Sequence, residues 1–514
     1  MSTEHTSEDV FSILNLYGKT YDSEETEVFY RDLNLLQVID KLSEKWGRSI
    51  RKYFMYLPED RQEEAYRRSV YGDIRKETVY GALIRYTENL AETERLRGKK
   101  ENASNPLQKA IWRIHEEESF CNTYEELARE LSGVELDSEG MREFLRILTE
   151  YLGSETYRRM REQTAQILRE LRAIRFIVTY DKDRISVALG EVPGAGAYEE
   201  WLDREAGAQD TQLVNPFNSD SAITEFEDAC MGTLRKRRPE FFRALQKASE
   251  ESAEYTMPVF QLFEQEVLYY LAYCSLQRDM EKAGFAFSTP ETFERDSAAQ
   301  RHRRMEAAGL YDLALALATL RDGRTVIPND FYYDEGDRIF VLTGPNQGGK
   351  TTFARSLGQL VYFTKMGLDV PARSACVPYF PAIQTHFSVE ESVETGRGKL
   401  MDELVRLAPM MEDHRRGSFV VINELFTTAA NYDAQIMGKR VLEHFIGLDC
   451  MGIYVTHLKE LAENRDGVVS LRAMLNDRGV QTFEIRRGEA EDTVCAANQV
   501  NKYRLTYKQL KERL

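Results

Sequence analysis

The hydrophobic positions in the first part of the chain recur at spacings of three and four residues. From Phe11 to about Tyr180 the sequence is rich in helix formers and poor in proline. This pattern predicts a series of helices, and the clearest of them is a long helix from residue 155 to residue 180. Six residues in that helix form an a/d heptad seam, namely Met160, Thr164, Ile167, Leu171, Ile174 and Val178.

A second helical seam predicts a partner for the first. It runs through Phe260, Phe263, Val267, Leu271 and Cys274. Two such helices can pack on each other as a rigid antiparallel arm, or they can be ordinary helices of a bundle. The pattern leaves both arrangements open.

The segment between the two seams has a different character. Residues 184–189 alternate in part and include β-branched side chains, and Gly190, Pro193, Gly194 and Gly196 follow. We expect a small hairpin or loop insertion here, at the tip of the arm. A less regular stretch follows Gly284 and extends through residues 322–323.

Strand patterns dominate the C-terminal part. Residues 338–343 form a short apolar β-branched run, and similar runs lie at residues 419–424 and 451–455. Because strands and helices alternate, this part predicts an α/β domain. The predicted protein is multidomain, with a mainly α-helical core (1–154), a pair of long helices with a small tip (155–283, tip around 181–220) and an α/β domain with a short helical extension (284–514).

Composition narrows the class of protein. The 514 residues are 42% hydrophobic and 30% charged, which is typical of a folded chain. The six cysteines form no C-x-x-C pair and are expected to be buried apolar residues. No stretch reaches the ~18–20 apolar residues that span a bilayer, and the start lacks a signal-peptide pattern, so we expect a cytoplasmic protein without a membrane partner.

The net charge of −17 limits how the chain can bind nucleic acid. A molecule of this charge repels phosphate backbones, so any binding must be local or driven by shape. Three short basic clusters stand against the acidic whole, at residues 97–100, 235–238 and 301–304. They are either solvated helix faces or phosphate contacts inside a clamp.

A phosphate-binding motif follows the strand at residues 338–343. The sequence there fits G-x-x-x-x-G-K-T between a strand and a helix. Glycines let backbone N–H groups surround phosphates, Lys350 reaches the β- and γ-phosphates, and the Thr351 hydroxyl is suited to Mg²⁺. The alternative is a structural glycine turn. The residues predicted to bind nucleotide here are Gly344, Pro345, Asn346, Gln347, Gly348, Gly349, Lys350, Thr351 and Thr352.

The ends of two further strands supply candidate catalytic groups. Asn423 stands where an aspartate would support Mg²⁺, so it can contribute only a neutral amide oxygen. Glu424 is the candidate general base or water-orienting group. His457, after the strand at residues 451–455, is placed to sense the γ-phosphate, with a surface histidine as the alternative.

Taken together, these motifs resemble the MutS DNA mismatch-repair ATPases, which belong to the ABC-type ATPases. The phosphate loop fits the narrower form G-P-N-x-G-G-K-[ST]-T. Further similarities follow in the family's order: residues 362–372 with its "G-x-x-V-P-A" turn, residues 395–403 with its "S-G-R-S-T-F-x-x-E" signature, residues 423–424 with "D-E", residues 431–433 with "T-x-Y-D" and residues 455–457 with "A-T-H". Residues 327–330, which include Asn329, are similar to the family's segment beside the adenine.

The resemblance implies a clamp-like homodimer with a P-loop ATPase domain (284–514) that uses ATP and Mg²⁺. Its lever helices, with their clamp-like tip (155–283), would open or close around a DNA duplex. By analogy, Lys350 binds phosphate, Thr351 and Asn423 lie at the metal, Glu424 assists hydrolysis and His457 senses the γ-phosphate. Asn329 lies beside the base. A segment that completes the site of the other subunit corresponds to Gly396, Arg397, Gly398 and Lys399.

Three departures from the family shape the expected function. The chain begins near the family's helical core, so we expect no mismatch-recognition domain. Gly398 and Lys399 replace the signature Ser-Thr, and Asn423 replaces an aspartate. The first hypothesis is therefore an ATP-dependent clamp for double-stranded or branched DNA with slow hydrolysis. The second is an ATP-gated dimeric scaffold that recruits an unknown protein partner without binding DNA.

Overall fold

The computed structural model describes residues 11–17, 28–103, 105–181, 184–190, 211–214, 232–251, 257–295, 304–320, 326–388, 399–463, 465–490 and 511. These residues group into two compact units. One unit combines Met1–Gly72 with Gln265–Leu514, and the other is Asp73–Glu264. The three-part division expected from sequence stays a prediction.

Helices account for most of the described chain. In chain order they are α1 (Val28–Asp32), α2 (Leu35–Trp46), α3 (Arg51–Met55), α4 (Arg61–Ile74), α5 (Glu77–Asn102), α6 (Pro106–Ser132), α7 (Glu139–Gly153), α8 (Glu155–Ala173), α9 (Pro239–Glu251), α10 (Pro258–Lys282), α11 (Leu313–Thr319), α12 (Lys350–Lys365), α13 (Lys399–Glu412) and α14 (Asn431–Gly447). Two 3₁₀ turns lie at Arg48–Ile50 and Lys459–Ala462.

The strands form three sheets. In chain order they are β1 (Arg175–Asp181), β2 (Arg184–Gly190), β3 (Thr211–Val214), β4 (Glu291–Phe293), β5 (Glu306–Leu310), β6 (Asn329–Tyr332), β7 (Ile339–Thr343), β8 (Ser374–Pro378), β9 (Ile383–Phe387), β10 (Phe419–Asn423), β11 (Met451–Val455), β12 (Val468–Leu475) and β13 (Gln481–Arg487).

Local capping signals fix where three helices of the Asp73–Glu264 unit begin. The Asn105 side chain accepts a hydrogen bond from the backbone N–H of Leu107, and Pro106 occupies the first turn. Ser138 caps α7 and Ser154 caps α8 in the same way. These polar side chains satisfy N–H groups that have no partner inside the helix.

Helix α6 holds the core of this unit together. Its apolar face packs on α8 and α9, while the aromatic residues of α10 pack on α6 and α7. The α6–α8–α9 cluster contains Leu107, Ala110, Ile111, Ile114, Ile167, Leu168, Leu171, Ile174, Leu234, Phe241 and Leu245. Phe263 of α10 stacks on Phe144 with ring centroids 3.4 Å apart. Whether the two seams form an arm or ordinary bundle helices stays a prediction.

The predicted helix from residue 155 to 180 is wrong in its last part. Helix α8 ends at Ala173, and Val178 lies in strand β1, where it pairs with Val187 of β2. The residues from Phe176 to Tyr180 are aromatic or β-branched, and they form an antiparallel ladder with β2 and also with β3. Cross-strand pairing therefore outweighs the heptad spacing here. The predicted hairpin is confirmed as β1 and β2.

The other unit contains the predicted α/β region. Its six-stranded sheet has the order β13-β12-β7-β11-β10-β9. The five strands from β12 to β9 are parallel, and β13 is an antiparallel edge. Strands β7, β10 and β11 are fully buried, as their apolar composition predicts. A helical region combined with an α/β domain is thus confirmed, whereas the ABC-type ATPase assignment stays a prediction.

A four-stranded sheet with the order β4-β8-β5-β6 was not predicted. Its strands have three to five residues each, and β4 pairs with β8 although they are about eighty residues apart in the chain. The sequence from Gly284 to residue 323 indicated only an irregular stretch. Such short strands are defined by their distant partners rather than by a local pattern.

Helix α12 is anchored at its C-terminal end by two helices that continue into the Asp73–Glu264 unit. The Arg68 guanidinium of α4 donates to the carbonyl of Thr364 at 3.0 Å. The Tyr269 hydroxyl of α10 donates to the carbonyl of Met366 at 3.2 Å. Both α4 and α10 cross the points where the chain passes between the units.

Composition led to two expectations, that the cysteines are buried and that no segment spans a membrane. Of the four cysteines in the described ranges, Cys121, Cys274 and Cys450 are buried and Cys376 is partly exposed. The expectation of buried cysteines is thus confirmed for three of them. Within those ranges no helix is both long and apolar enough to cross a membrane.

Candidate nucleotide site

The glycines of the loop between β7 and α12 are required by its geometry. Gly349, the N-cap of α12, has φ 84°, a left-handed conformation that side-chain-bearing residues rarely adopt. A Cβ on Gly344 would lie 3.0 Å from the Ala473 Cβ, and one on Gly348 would lie 3.2 Å from it. The loop therefore folds tightly against β12.

Lys350 closes the loop on itself. Its side chain is buried, and its ammonium donates to the carbonyl oxygens of Gly344 at 2.9 Å and Pro345 at 2.8 Å. An ammonium group has three donors and no acceptor, so it can bond to carbonyl oxygens or, more strongly, to anionic phosphate oxygens. The charge thus sits inside the curve of the loop, at the positive end of α12.

Thr351 and Asn423 meet at the carboxyl edge of the sheet. The Thr351 hydroxyl donates to the Asn423 Oδ1 at 3.0 Å, which joins the first turn of α12 to the end of β10. The structure thus brings the two predicted metal residues together. Both offer neutral oxygens, which suit an Mg²⁺ ion that takes most of its ligands from phosphates and water. No cluster of three or more histidine, cysteine or acidic side chains placed for a metal occurs within the described ranges.

Glu424 and His457 form the third pair. The His457 Nε2 lies 2.9 Å from the Glu424 Oε1, and the Glu424 N–H donates to the Val455 carbonyl at 2.9 Å. Glu424 has φ 56°, and such a conformation costs a non-glycine residue about 1–3 kcal/mol. Parallel pairing of β10 with β11 places the two side chains at the same sheet edge.

The turn after Glu424 contains a second residue with positive φ. Phe426 has φ 60°, and its N–H donates to the buried Glu403 carboxylate at 3.0 Å. Sequence reasoning quoted Glu403 only as the last residue of a signature. Glu403 is far from Glu424 in the chain, so the sequence does not predict that its carboxylate bonds the Phe426 N–H. Its place in the signature could have marked it as a candidate site residue.

Asn329 contacts the backbone of β13. Its Oδ1 accepts from the Ile485 N–H at 2.7 Å, and its Nδ2 donates to the Phe483 carbonyl at 3.1 Å. Beside it lies a cleft of about 1090 Å³ whose lining includes Asn329, Phe340 and Phe353. A nucleotide-binding role for Asn329 stays a prediction, since both ends of its amide hold β13 in place.

Phe483 was missed by the sequence reasoning. Its ring is 46% exposed beside the loop, and a Cβ on Gly349 would lie 3.4 Å from its Cδ1. No motif marks it, because its position depends on the antiparallel pairing of β13 with β12.

The predicted trans segment is described only at its end. Gly396, Arg397 and Gly398 lie outside the described residues, and Lys399 is the first residue of α13. Their predicted role stays a prediction.

The basic cluster at residues 97–100 is paired with acid. Arg97 lies 2.9 Å and Lys100 2.6 Å from the carboxylate of Glu116, which is 1% exposed. Lys99 lies over the Trp112 ring. These contacts support a structural role for the cluster on α5 and α6.

Known proteins are similar to the part of the chain that carries this site. The family model of MutS domain V matches residues 340–502. The DNA mismatch repair protein MutS of Fervidobacterium nodosum is 29% identical over 152 residues, which are 29% of this chain and 18% of that protein. The MutS of Chlamydia muridarum is 30% identical over 193 residues, 36% of this chain and 23% of that protein. The MutS of Solibacter usitatus is 30% identical over 187 residues, 35% and 21% of the two chains. The matched part is about a fifth of the length of these relatives.

Proposed function

We propose, from the MutS-type character of residues 340–502, that this chain binds ATP and hydrolyses it slowly, and that it acts as an ATP-dependent DNA clamp in repair or recombination. The observation that carries the proposal is the convergence of three pairs at one sheet edge. Lys350 lies with the loop carbonyls, Thr351 with Asn423, and Glu424 with His457.

Each pair has a distinct chemical part. The Lys350 ammonium exchanges loop carbonyls for phosphate oxygens when the nucleotide enters. Glu424 orients the attacking water and accepts its proton, and His457, which contacts the Glu424 carboxylate, senses the γ-phosphate. Thr351 and Asn423 would hold Mg²⁺, which neutralises phosphate charge when it is bound.

Slow hydrolysis is expected because Thr351 and Asn423, the two residues proposed to hold Mg²⁺, carry no negative charge. Asn423 supplies a neutral oxygen where a carboxylate would attract the cation. Its amide is already a partner of Thr351 at 3.0 Å. ATP binding is therefore expected to depend less on Mg²⁺ than in a site that contains a carboxylate at this position.

Two substitutions test the nucleotide site. Lys350→Ala is expected to abolish ATP binding, because it removes the cation inside the loop. Glu424→Ala is expected to keep binding and stop turnover. Matched controls are Lys439→Ala and Glu443→Ala, which alter an exposed pair on α14. Equilibrium binding of ATP and single-turnover hydrolysis give the two readouts, and undiminished turnover in both site variants would refute the assignment.

The clamp itself requires a second copy and DNA. We propose a homodimer in which residues 396–399 of one copy complete the site of the other, with double-stranded or branched DNA as the ligand. The MutS relatives are named for DNA mismatch repair, and the similarity to them supports DNA as a ligand.

An ATP-gated scaffold that recruits a protein partner is the second candidate. Two observations favour it: the net charge of −17, and the pairing of Arg97 and Lys100 with Glu116, which removes one candidate phosphate contact. Equilibrium binding to duplex, mismatch and junction DNA, at several salt concentrations with and without ATP, separates the two. Binding that weakens steeply with salt supports the clamp. No binding to any of these DNAs at low salt would refute the clamp and favour the scaffold.

A further inference from the structure

The carboxylate of Glu403 reaches from α13 into the turn that carries Glu424. Glu403 is 4% exposed, and its Oε2 accepts a hydrogen bond from the Phe426 N–H at 3.0 Å. Phe426 is only two residues beyond Glu424 in the chain, whereas Glu403 is more than twenty residues before it. This bond is therefore a tertiary contact directed at the candidate catalytic turn.

The turn needs such support because its backbone is unusual. Glu424 and Phe426 both have positive φ, at 56° and 60°. Residues with side chains adopt this conformation only where the surroundings impose it. Three contacts impose it here: the Val455 carbonyl on the Glu424 N–H, His457 on the Glu424 carboxylate, and Glu403 on the Phe426 N–H.

The surroundings of Glu403 favour a strong bond. His386 is 1% exposed, and its Nε2 lies 3.3 Å from the backbone carbonyl oxygen of Glu403. Burial, followed by the nearby Glu403 charge, raises the pKa of the Tyr454 hydroxyl. A carboxylate that accepts from an N–H away from water makes a charge-assisted bond stronger than a neutral one.

We propose that Glu403 is a positioning residue for hydrolysis, which holds the turn so that the Glu424 carboxylate stays against His457. The proposal rests on the proposed function of this site. Glu403 is not one of the residues proposed to bind the nucleotide. It lies four residues, about one helical turn, after Lys399, where α13 begins. A shift of α13 along its axis would therefore move the turn of Glu424 with it.

The test uses three variants of the full chain. Glu403→Ala removes the acceptor, Glu403→Gln keeps an amide oxygen there, and Glu412→Ala is the control at an exposed position on the same helix. Three quantities are measured: the dissociation constant for ATP, the single-turnover hydrolysis rate, and hydrogen exchange of the Phe426 amide.

Glu403→Ala is expected to slow hydrolysis by roughly tenfold or more while the ATP dissociation constant changes by less than about twofold, because only water orientation is lost. Exchange of the Phe426 amide accelerates in this variant. Glu403→Gln recovers most of the rate and of the protection, and Glu412→Ala matches the wild type.

Two results would overturn the proposal. One is a wild-type hydrolysis rate in Glu403→Ala despite faster Phe426 exchange. The other is an ATP affinity that falls by the same factor as the rate, which would indicate general damage to the fold. A wild-type chain that binds ATP without turning it over refutes the proposed hydrolysis instead, and unchanged Phe426 exchange in Glu403→Ala then refutes the contact separately.

Discussion

Single side chains in this site act in pairs of defined charge. Lys350 is a cation among carbonyls, Thr351 and Asn423 are a neutral pair, and Glu424 with His457 is the pair proposed to assist hydrolysis. Only the neutral pair departs from what a strongly metal-dependent site would contain. A substitution that changes the charge of one residue is therefore expected to change one property of the site, namely phosphate binding, metal binding or hydrolysis.

Asn423→Asp is expected to raise Mg²⁺-dependent turnover and the apparent affinity for Mg²⁺. The new carboxylate supplies negative charge next to Thr351 while keeping the oxygen that accepts its hydroxyl proton. Steady-state hydrolysis measured across an Mg²⁺ titration checks this. A Mg²⁺ dependence identical to that of the wild type would show that residue 423 does not support the metal.

Phe483→Ala is expected to weaken ATP binding by roughly tenfold, because loss of a stacked aromatic surface costs about 1–3 kcal/mol. The prediction assumes that the exposed ring beside Gly349 stacks on the base. Phe483→Trp is the matched variant and should retain affinity. Equal losses for ATP and for inorganic triphosphate would exclude contact with the base.

His386 gives the fold a defined response to acid. Burial first, and the Arg406 charge second, lower its pKa from 6.5 to about 4. Since the unfolded chain then binds a proton that the folded chain refuses, stability is present above pH 6.5 and is lost as the pH falls towards 4. Between pH 7 and pH 5 this loss is about 2 kcal/mol. Urea unfolding at both pH values should show a smaller loss in His386→Gln, and an equal loss would contradict the assignment.

At the scale of elements, α12 links the nucleotide loop to the helices around it. Its N-terminus carries Lys350 and Thr351, its middle packs on the chain next to α1, and its C-terminus is held by Arg68 and Tyr269. A close contact in the middle of α12 sets the distance between this helix and Leu33. A Cβ on Gly358 would lie 2.4 Å from a methyl carbon of Leu33, which is fully buried.

Gly358→Ala is expected to destabilise the fold by about 1–3 kcal/mol, because the added methyl group overpacks a filled interface. Gly72→Ala is the control, since it lies in α4 with no atom within 4 Å of the new Cβ. Chemical denaturation measures both. If the two variants were equally stable, the close approach of α12 to Leu33 would not govern stability.

At the scale of the whole molecule, the chain has two compact units that α4 and α10 connect. The same two helices hold the C-terminal end of α12 through Arg68 and Tyr269. A nucleotide bound at the other end of α12 therefore acts on a helix that is fastened to both connections.

ATP is expected to shift the chain from a smaller to a dimeric species, because the proposed site is completed by residues 396–399 of a second copy. Sedimentation velocity with and without ATP measures the shift. Lys350→Ala should remain in the nucleotide-free state at every ATP concentration. A mass independent of ATP, in a protein shown to bind ATP, would contradict the shared site.

The sequence by itself determined the elements with strong local patterns. Strands β7, β10 and β11 are short apolar runs, and the loop from Gly344 to Gly349 is a local sequence motif between a strand and a helix. Parallel strands end at a common edge, so the sequence also placed Thr351, Asn423, Glu424 and His457 within one region of the sheet. These features depend on neighbouring residues and on the general rules of parallel sheets.

Only the tertiary structure decided the remainder. The end of the predicted helix became β1 because distant strands pair with it, and the four-stranded sheet exists through partners far apart in the chain. The bonds of Asn329 to β13 and of Glu403 to Phe426 likewise join residues that no spacing relates. Such contacts are fixed by packing, which is a property of the folded chain and not of a local pattern.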